Sequence, residues 1–485
     1  MMQDIDALLD SHDGVGLAAL VRNGEIQPLE LTEATIARLE RVASLNAVAE
    51  TLYDQARATA RQPATRQGAL AGVPTLIKDL FSPLRGARMG NGSLAQGDAR
   101  ADLDCAVVER LRAAGCVFLG TSTSPEFGTS YTTESTRFGA TANPWDITRS
   151  AGGSSGGAAA LVAARAVPFA HGNDGGGSLR VPASCCGVFG LKPSRGRMPS
   201  GPLIGEGWAG MGITHAITRS VRDSAALLDA TAGADLGAPY AAPAQAAPFM
   251  AAIERDPTPL RIALVEHLAP WPSGADALAA VRHSAGLCSL LGHHVEAARL
   301  PVDLPVLVDQ LFDIIGPSTR CYLDMLGHLR GAPVTDAELE PRTRVILREK
   351  GHVSGARYAA AVAAIHVLGR QLATLLQDYD LILTPTLTRA PPLLGTLDAF
   401  DDTISLARLI DDFHSYSPFT ALFNASGQPA MSVPLYWSPA GLPIGAHFAA
   451  RFGEESTLLA LAAQLERAQP WAGRVPPLNA SAVGR

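Results

Sequence analysis

Three polar side chains stand in settings that a solvated surface residue does not need. Lys78 closes a short apolar run, Val73, Leu76 and Ile77, and is followed by Asp79. Ser154 sits between paired glycines in Gly152-Gly153-Ser154-Ser155-Gly156-Gly157. Ser178 ends a second cluster, Asn173-Asp174-Gly175-Gly176-Gly177-Ser178. Glycine allows positive φ and lets a ligand approach bare backbone, and successive N–H groups in such a turn can converge on one anion-binding hollow. A serine hydroxyl beside that hollow has the parts acyl transfer requires: a nucleophile and a place for the oxyanion. Taken singly, each feature has a plainer reading as an exposed lysine, a flexible loop and a tight turn.

The elements that must position these residues follow from periodicity. Helical spacing predicts helices over 3–22, 32–45 (Thr32 as N-cap), 104–114, 157–165, 277–291 and 454–465. Short apolar runs predict strands over 70–81, 116–122, 166–170, 261–268, 293–300, 380–386, 430–435 and 446–452. Residues 303–377 read mostly as helix, broken at Pro317, Pro333 and Gly351. Strands alternating with helices predict an α/β fold of three layers, α/β/α, with a large mixed central sheet covered by helices. The chain reads as one domain over 1–485. Within it, 1–65 form an N-terminal helical cap, 70–200 the catalytic core, 233–258 an Ala/Pro-rich surface excursion and 303–377 a helical substrate-pocket region.

Composition narrows the function. The chain has 485 residues, 47% hydrophobic, enough for a large core, and a formal net charge of −7 with no basic block, which argues against nucleic acid as a partner. The acidic N-terminus has no secretory pattern, and the longest apolar run, 158–170, is interrupted by Arg165 and too short to span a bilayer. Six cysteines without CxxC or zinc spacing read as reduced thiols, so a cytoplasmic location is expected, with no metal. There is no Walker A loop and no Rossmann fingerprint after a strand, so no cofactor is expected. One further motif competes: Gly152–Gly156 satisfies G-x-S-x-G, which would make Ser154 the nucleophile of an α/β-hydrolase served by His414 or His447. That reading leaves Ser178 and its glycines without a role.

Lys78 in GVPTLIKDLF, GGSSGG at 152–157 and GNDGGGSLRVPASCCGVFGLKPSRGR at 172–197 together resemble the amidase signature family. So do TSTSPEFG at 121–128, DLILTPT at 380–386, and the blocks at 419–435 and 441–450, in the family's order. The resemblance implies a Ser–cisSer–Lys triad. Ser178 is then the acyl nucleophile, Ser154, after a cis peptide bond, the bridge, and Lys78 the base. The N–H groups of Gly175, Gly176, Gly177 and Ser178 are expected to form the oxyanion hole, and the backbone at Gly128 to face the substrate amide. Asp174 and Arg180 are expected to pair across the turn. Motif detail looks closer to hydrolases of cyclic and linear nylon-type oligoamides than to tRNA-dependent amidotransferase subunits, which commonly carry Gln where Val181 stands. The common turn of the family is T-D-T-G-G-S, so Gly175 removes a side chain and is expected to enlarge the pocket. Phe127, Leu203, Ile204, Trp208, Ile315, Phe413 and Phe419 are expected to line that pocket, whose lack of formal charge favours neutral amides, anilides or carbamates. The expected partners are such a small-molecule substrate and, at most, a second copy of the chain, with no membrane.

Overall fold

A computed structural model of the chain describes residues 5–397 and 400–481. Strands β1 (Val48–Thr51), β2 (Pro74–Lys78) and β3 (Val117–Ser122) form a three-stranded sheet ordered β1-β3-β2, with β1 antiparallel and β2 parallel to β3. The large sheet is built from β4 (Phe169–Asp174), β5 (Phe189–Lys192), β6 (Ile213–Thr218), β7 (Arg261–Leu264), β8 (His294–Ala297), β9 (Leu381–Pro385), β10 (Ala430–Trp437) and β11 (Pro443–Ala450). Its order is β8-β7-β9-β11-β10-β5-β6-β4. It is mixed as expected: β7 runs parallel to β8 and β9, and the remaining pairs are antiparallel. Strands β2, β3, β9 and β11 are buried at every position, which requires cover on both faces and explains their unbroken apolar character.

The two sheets meet where β2 lies beside β4, and side chains stitch that seam. Thr75 Oγ1 donates to Phe169 O at 2.9 Å, and the Lys78 N–H donates to His171 Nδ1 at 3.3 Å. The C-terminal ends of β2 and β4 therefore open onto the same place. The Gly156–Ala163 helix, GGAAALVA, is buried at every residue. Its alanines carry little side-chain bulk, so the helix can sit inside the molecule, not on it.

Several local expectations are corrected. The helix expected over 32–45 starts at Pro28. Proline at the first helical position and a Gln27–Glu30 box, in which the Gln27 N–H donates to Glu30 Oε2 at 2.9 Å, set its start, while Thr32 is buried one turn inside and donates to Pro28 O. Residues 5–22 form two helices, Ile5–Ser11 and Gly14–Arg22, with Asp13 capping the second; residues 3–4 lie outside the described residues. The N-terminal cap is not wholly helical, because β1 leaves it to pair with β3. The strand placed at 166–170 runs from Phe169 to Asp174, so it carries His171 and Asn173 to the seam.

Pro317 does not break its helix, which runs from Leu304 to Arg330. An interior proline costs about 3 kcal/mol, and packing outweighs it here. Phe312, Ile314, Gly316 and Thr319 are buried around the proline, and Asp313 is paired with Lys350 and Arg357. Among the described residues one helix, Gly355–Asp378, is long and apolar enough to cross a membrane by length and composition. Its Ala361, Ile365, Leu368, Leu372 and Leu376 stripe is buried in the protein.

The segment after β5 is pinned to the final helix, Glu455–Ala468, by a buried ion pair. Glu455 accepts from Arg197 Nε and Nη2 at 3.1 and 3.0 Å and from the Ser194 N–H at 2.8 Å. Replacing Arg197 by Met strands a buried carboxylate, so Arg197→Met should lose about 3–5 kcal/mol of stability, read from the midpoint of urea unfolding.

Candidate active site

Lys78 ends β2, and its side chain is wholly buried at the seam. Its Nζ lies 2.7 Å from Ser154 Oγ and 2.6 Å from Asn173 Oδ1. Burial pushes the amine well below the usual lysine range, and the Asp174 carboxylate acts in the opposite direction. His171, whose Nδ1 accepts from the Lys78 N–H, is pushed down to about 3, chiefly by burial. It is therefore neutral and adds no charge beside the amine.

The glycines around Ser154 are there for contact, not flexibility. A Cβ at Gly153 would stand 2.3 Å from Thr132 O, and one at Gly157 2.5 Å from Thr123 Oγ1. No side chain fits those gaps, so the loop is clamped between β-strand ends and neighbouring turns. The Gly153–Ser154 peptide is cis, as the resemblance implies. Gly128 is brought to the same point, since a Cβ there would lie 3.3 Å from Ser154 Oγ.

Ser178 lies in the turn between β4 and the Arg180–Cys186 helix. Two bonds hold this turn against the Ser154 loop: the Ser155 N–H donates to Ser178 O at 3.3 Å, and Ser155 Oγ donates to Asn173 O at 3.1 Å. The expected Asp174–Arg180 pair is present and fully buried. Arg180 Nε and Nη2 donate to the two carboxylate oxygens at 2.9 and 2.8 Å. Arg180, with the Asn424 amide, holds the Asp174 carboxyl well below the usual range against the cost of burial. The same carboxylate accepts from the Gly177 and Leu179 N–H groups at 2.7 and 3.0 Å.

That last contact corrects one expectation. The Gly177 N–H is turned into Asp174 and is not available to an oxyanion. The N–H groups of Gly175, Gly176 and Ser178 have no acceptor among the described residues. The Gly176 carbonyl, in the same peptide unit as the Gly177 N–H, accepts from Tyr131 Oη at 3.1 Å and Thr420 Oγ1 at 2.6 Å, which holds that N–H toward Asp174.

The absence of a side chain at Gly175 does not enlarge the pocket either. The Trp208 indole fills the space, so that a Cβ at Gly175 would come within 2.6 Å of Trp208 Cζ3. Of the other expected lining residues, Phe127, Phe413 and Phe419 are buried, Ile315 packs against the core, and Leu203 and Ile204 are exposed. Phe413 stacks edge-on with Tyr131 and belongs to the core behind the turn.

The histidines named for the α/β-hydrolase reading are occupied elsewhere. His447 Nε2 lies 3.0 Å from Arg180 Nη1, which can only donate, so the ring is neutral and its Nδ1–H points to Thr384 Oγ1. His414 is buried among Tyr131, Trp271 and Phe312. The side-chain partner of Ser154 is Lys78.

Sequence reasoning missed Asn173, Tyr131, Thr420 and Asn424. Asn424 donates to the carbonyl and carboxylate of Asp174 and to Met211 O. Thr420 and Asn424 lie in the 419–435 block, so the resemblance flagged their segment without revealing what they touch. Asn173 sat in plain view next to Asp174, but nothing local says that its amide meets a lysine 95 positions away.

Comparison with known proteins places the whole chain in a family. The Amidase family model matches residues 30–459. A 6-aminohexanoate-cyclic-dimer hydrolase of Pseudomonas sp. (strain NK87) is 39% identical, over 96% of each chain. Among solved structures, a 6-aminohexanoate cyclic dimer hydrolase superposes with a TM-score of 0.92 at 37% identity, covering 97% of this chain and 99% of that one. A bacterial aryl acylamidase gives 0.87 at 29% identity, covering 96% and 99%. With a family match over most of its length and relatives aligned end to end, the chain belongs to the amidase signature family, hydrolases of carbon–nitrogen bonds.

Proposed function

We propose that this protein is a serine amidohydrolase that cleaves neutral carboxamide-type bonds, in amides, anilides or carbamates, through an ester on Ser178. The observation that carries the reading is the 2.7 Å contact between the buried Lys78 amine and Ser154 Oγ. In water about one lysine in 2,500 is neutral at pH 7; burial at the seam moves that balance toward the free amine.

Ser178 Oγ attacks the carbonyl carbon while its proton passes to Ser154, whose own proton passes to Lys78. The N–H groups of Gly175, Gly176 and Ser178 receive the oxyanion; the peptides that carry the first and last are held through the Asp174 carbonyl, which accepts from Asn424, and the Gly177 carbonyl, which accepts from the Val181 N–H. One such donor is worth roughly 2.7–4 kcal/mol of transition-state stabilisation. The C–N bond breaks as the ammonium returns a proton, through Ser154, to the leaving nitrogen. Water then adds to the ester with the relay reversed, releasing the acid and restoring Ser178. No metal or cofactor enters this scheme.

The Trp208 indole over Gly175 and the lack of a charged side chain among the expected lining residues support neutral substrates with apolar bodies. The relatives that act on cyclic amides of 6-aminohexanoate and the aryl acylamidase fall in that class, and small linear or cyclic amides and anilides are proposed for this chain. The described part of the chain is proposed to act as one catalytic unit.

Ser178→Ala should abolish turnover, by about 10⁴-fold or more, with unchanged thermal unfolding. Lys78→Ala should do the same, whereas His447→Gln should leave the chemical step in place. Full activity in Ser178→Ala removes the nucleophile assigned here. The acid limb of kcat/KM should report Lys78: the neutral amine is required, so activity should fall as pH drops through the lowered pKa of the folded protein. A limb that persists unchanged in Lys78→Ala contradicts that assignment. Across a panel of anilides, aliphatic amides, cyclic amides, aryl carbamates and charged dipeptides, neutral members should give the highest kcat/KM.

A further inference from the structure

The Lys78 amine has two polar side-chain contacts, and the scheme above uses only one. The other is Asn173 Oδ1 at 2.6 Å. The orientation of that amide is not arbitrary. Its Nδ2 donates to Leu80 O at 2.8 Å, and the opposite orientation would set the amide oxygen against the Leu80 carbonyl. The group facing Nζ is therefore an oxygen that carries no proton.

Resting on the amidohydrolase reading, we propose that Asn173 is a positioning residue: its carboxamide oxygen, fixed by the Leu80 carbonyl, takes one N–H of the Lys78 amine and so keeps the nitrogen lone pair free for Ser154.

A neutral amine has two N–H bonds and one lone pair. An obligate acceptor at Oδ1 must be met by an N–H. That excludes the rotamer about the Cε–Nζ bond in which the lone pair would face Oδ1, so the lone pair stays available on the Ser154 side. Ser154 then donates its O–H to Nζ and keeps an oxygen lone pair for the Ser178 O–H. The relay then runs from Ser178 through Ser154 to a lone pair that Asn173 has kept free. When Lys78 takes the proton it has three N–H bonds, and Asn173 and Ser154 accept two of them. The carboxamide dipole holds the ammonium without offering a charge that would trap it.

The neighbouring groups leave this task to Asn173. On β4, the Asp174 carboxylate is consumed by Arg180 and Asn424, and His171 is neutral. Just after β2, the Asp79 carboxylate is turned to the Gly90 N–H at 2.7 Å.

The test uses the second-order rate of Ser178 labelling by a fluorophosphonate, measured against pH for the full chain. In that step the Ser178 O–P bond forms, fluoride leaves, and the serine proton goes to Lys78. The unaltered protein is compared with Asn173→Asp and Asn173→Leu, each checked for unchanged thermal unfolding. Both variants lose the bond to Leu80, so a purely structural role makes them behave alike. The proposal expects opposite shifts. A carboxylate at 173 stabilises the ammonium, so the acid limb moves up by about one pH unit or more. Leucine removes an acceptor from the ammonium, so the limb moves down, while the plateau rate falls about 10- to 100-fold because the amine is no longer aimed. Limbs that stay in place, or shift in the same direction, overturn the proposal. If Asn173→Leu does not fold, the direction of the Asn173→Asp limb decides alone. Failure of the underlying reading looks different: no labelling of the unaltered protein, or labelling that survives Ser178→Ala.

Discussion

A buried amine that touches no carboxylate among the described residues is the constraint around which this molecule is arranged. Placing Lys78 at the closed end of β2 removes it from water and disfavours its charge. A salt bridge to the amine would restore that charge. The surroundings instead offer a hydroxyl, a carboxamide oxygen and a neutral imidazole beside its backbone. The carboxylate whose charge acts on the amine, Asp174, is kept occupied by the guanidinium of Arg180, so its pull on the amine is shared with a stronger partner.

This arrangement needs the seam between the sheets. Had β2 paired with β4 through a full backbone ladder, the chain would have continued as ordinary sheet. Stitching by Thr75 and His171 holds the strands together while letting their C-terminal ends diverge around Lys78, Asn173 and Ser154. The Ser154 loop is then locked by backbone-to-backbone approach at Gly153 and Gly157, and the Ser178 turn by the Asp174 carboxylate inside it. Asp174 thus does two jobs: it sets the turn, and by taking the Gly177 N–H it decides which N–H groups remain to face a carbonyl oxygen.

The closing of the turn by Trp208 adds a consequence for substrate choice. A residue with a side chain at 175 and an indole at this point cannot both be accommodated. The glycine that looks in the sequence like a larger cavity is the space into which an aromatic wall is fitted. Cavity size depended on a contact 33 positions along the chain, with no local trace.

Much was nevertheless legible from the letters. Short buried strands show as unbroken apolar runs, and the glycine-serine clusters and the lysine ending β2 mark positions where backbone approach and burial are needed. These are local properties, set by sterics and by the cost of desolvating a charge, so β2, β3, β9 and the unusual settings of the three polar residues could be read directly, while the family came from the resemblance of the motifs that hold them. What the sequence could not contain were decisions made by packing. The helix through Pro317 persists because Phe312, Ile314 and the Asp313 ion pairs outweigh a local penalty. Thr32 is interior because proline and a Gln27–Glu30 box start the helix a turn earlier. Which N–H groups of the turn are free, which way Asn173 points, and that Thr420 and Asn424 reach the turn from over two hundred residues away are settled only when distant segments meet, since hydrogen bonds are chosen by three-dimensional proximity and not by position along the chain.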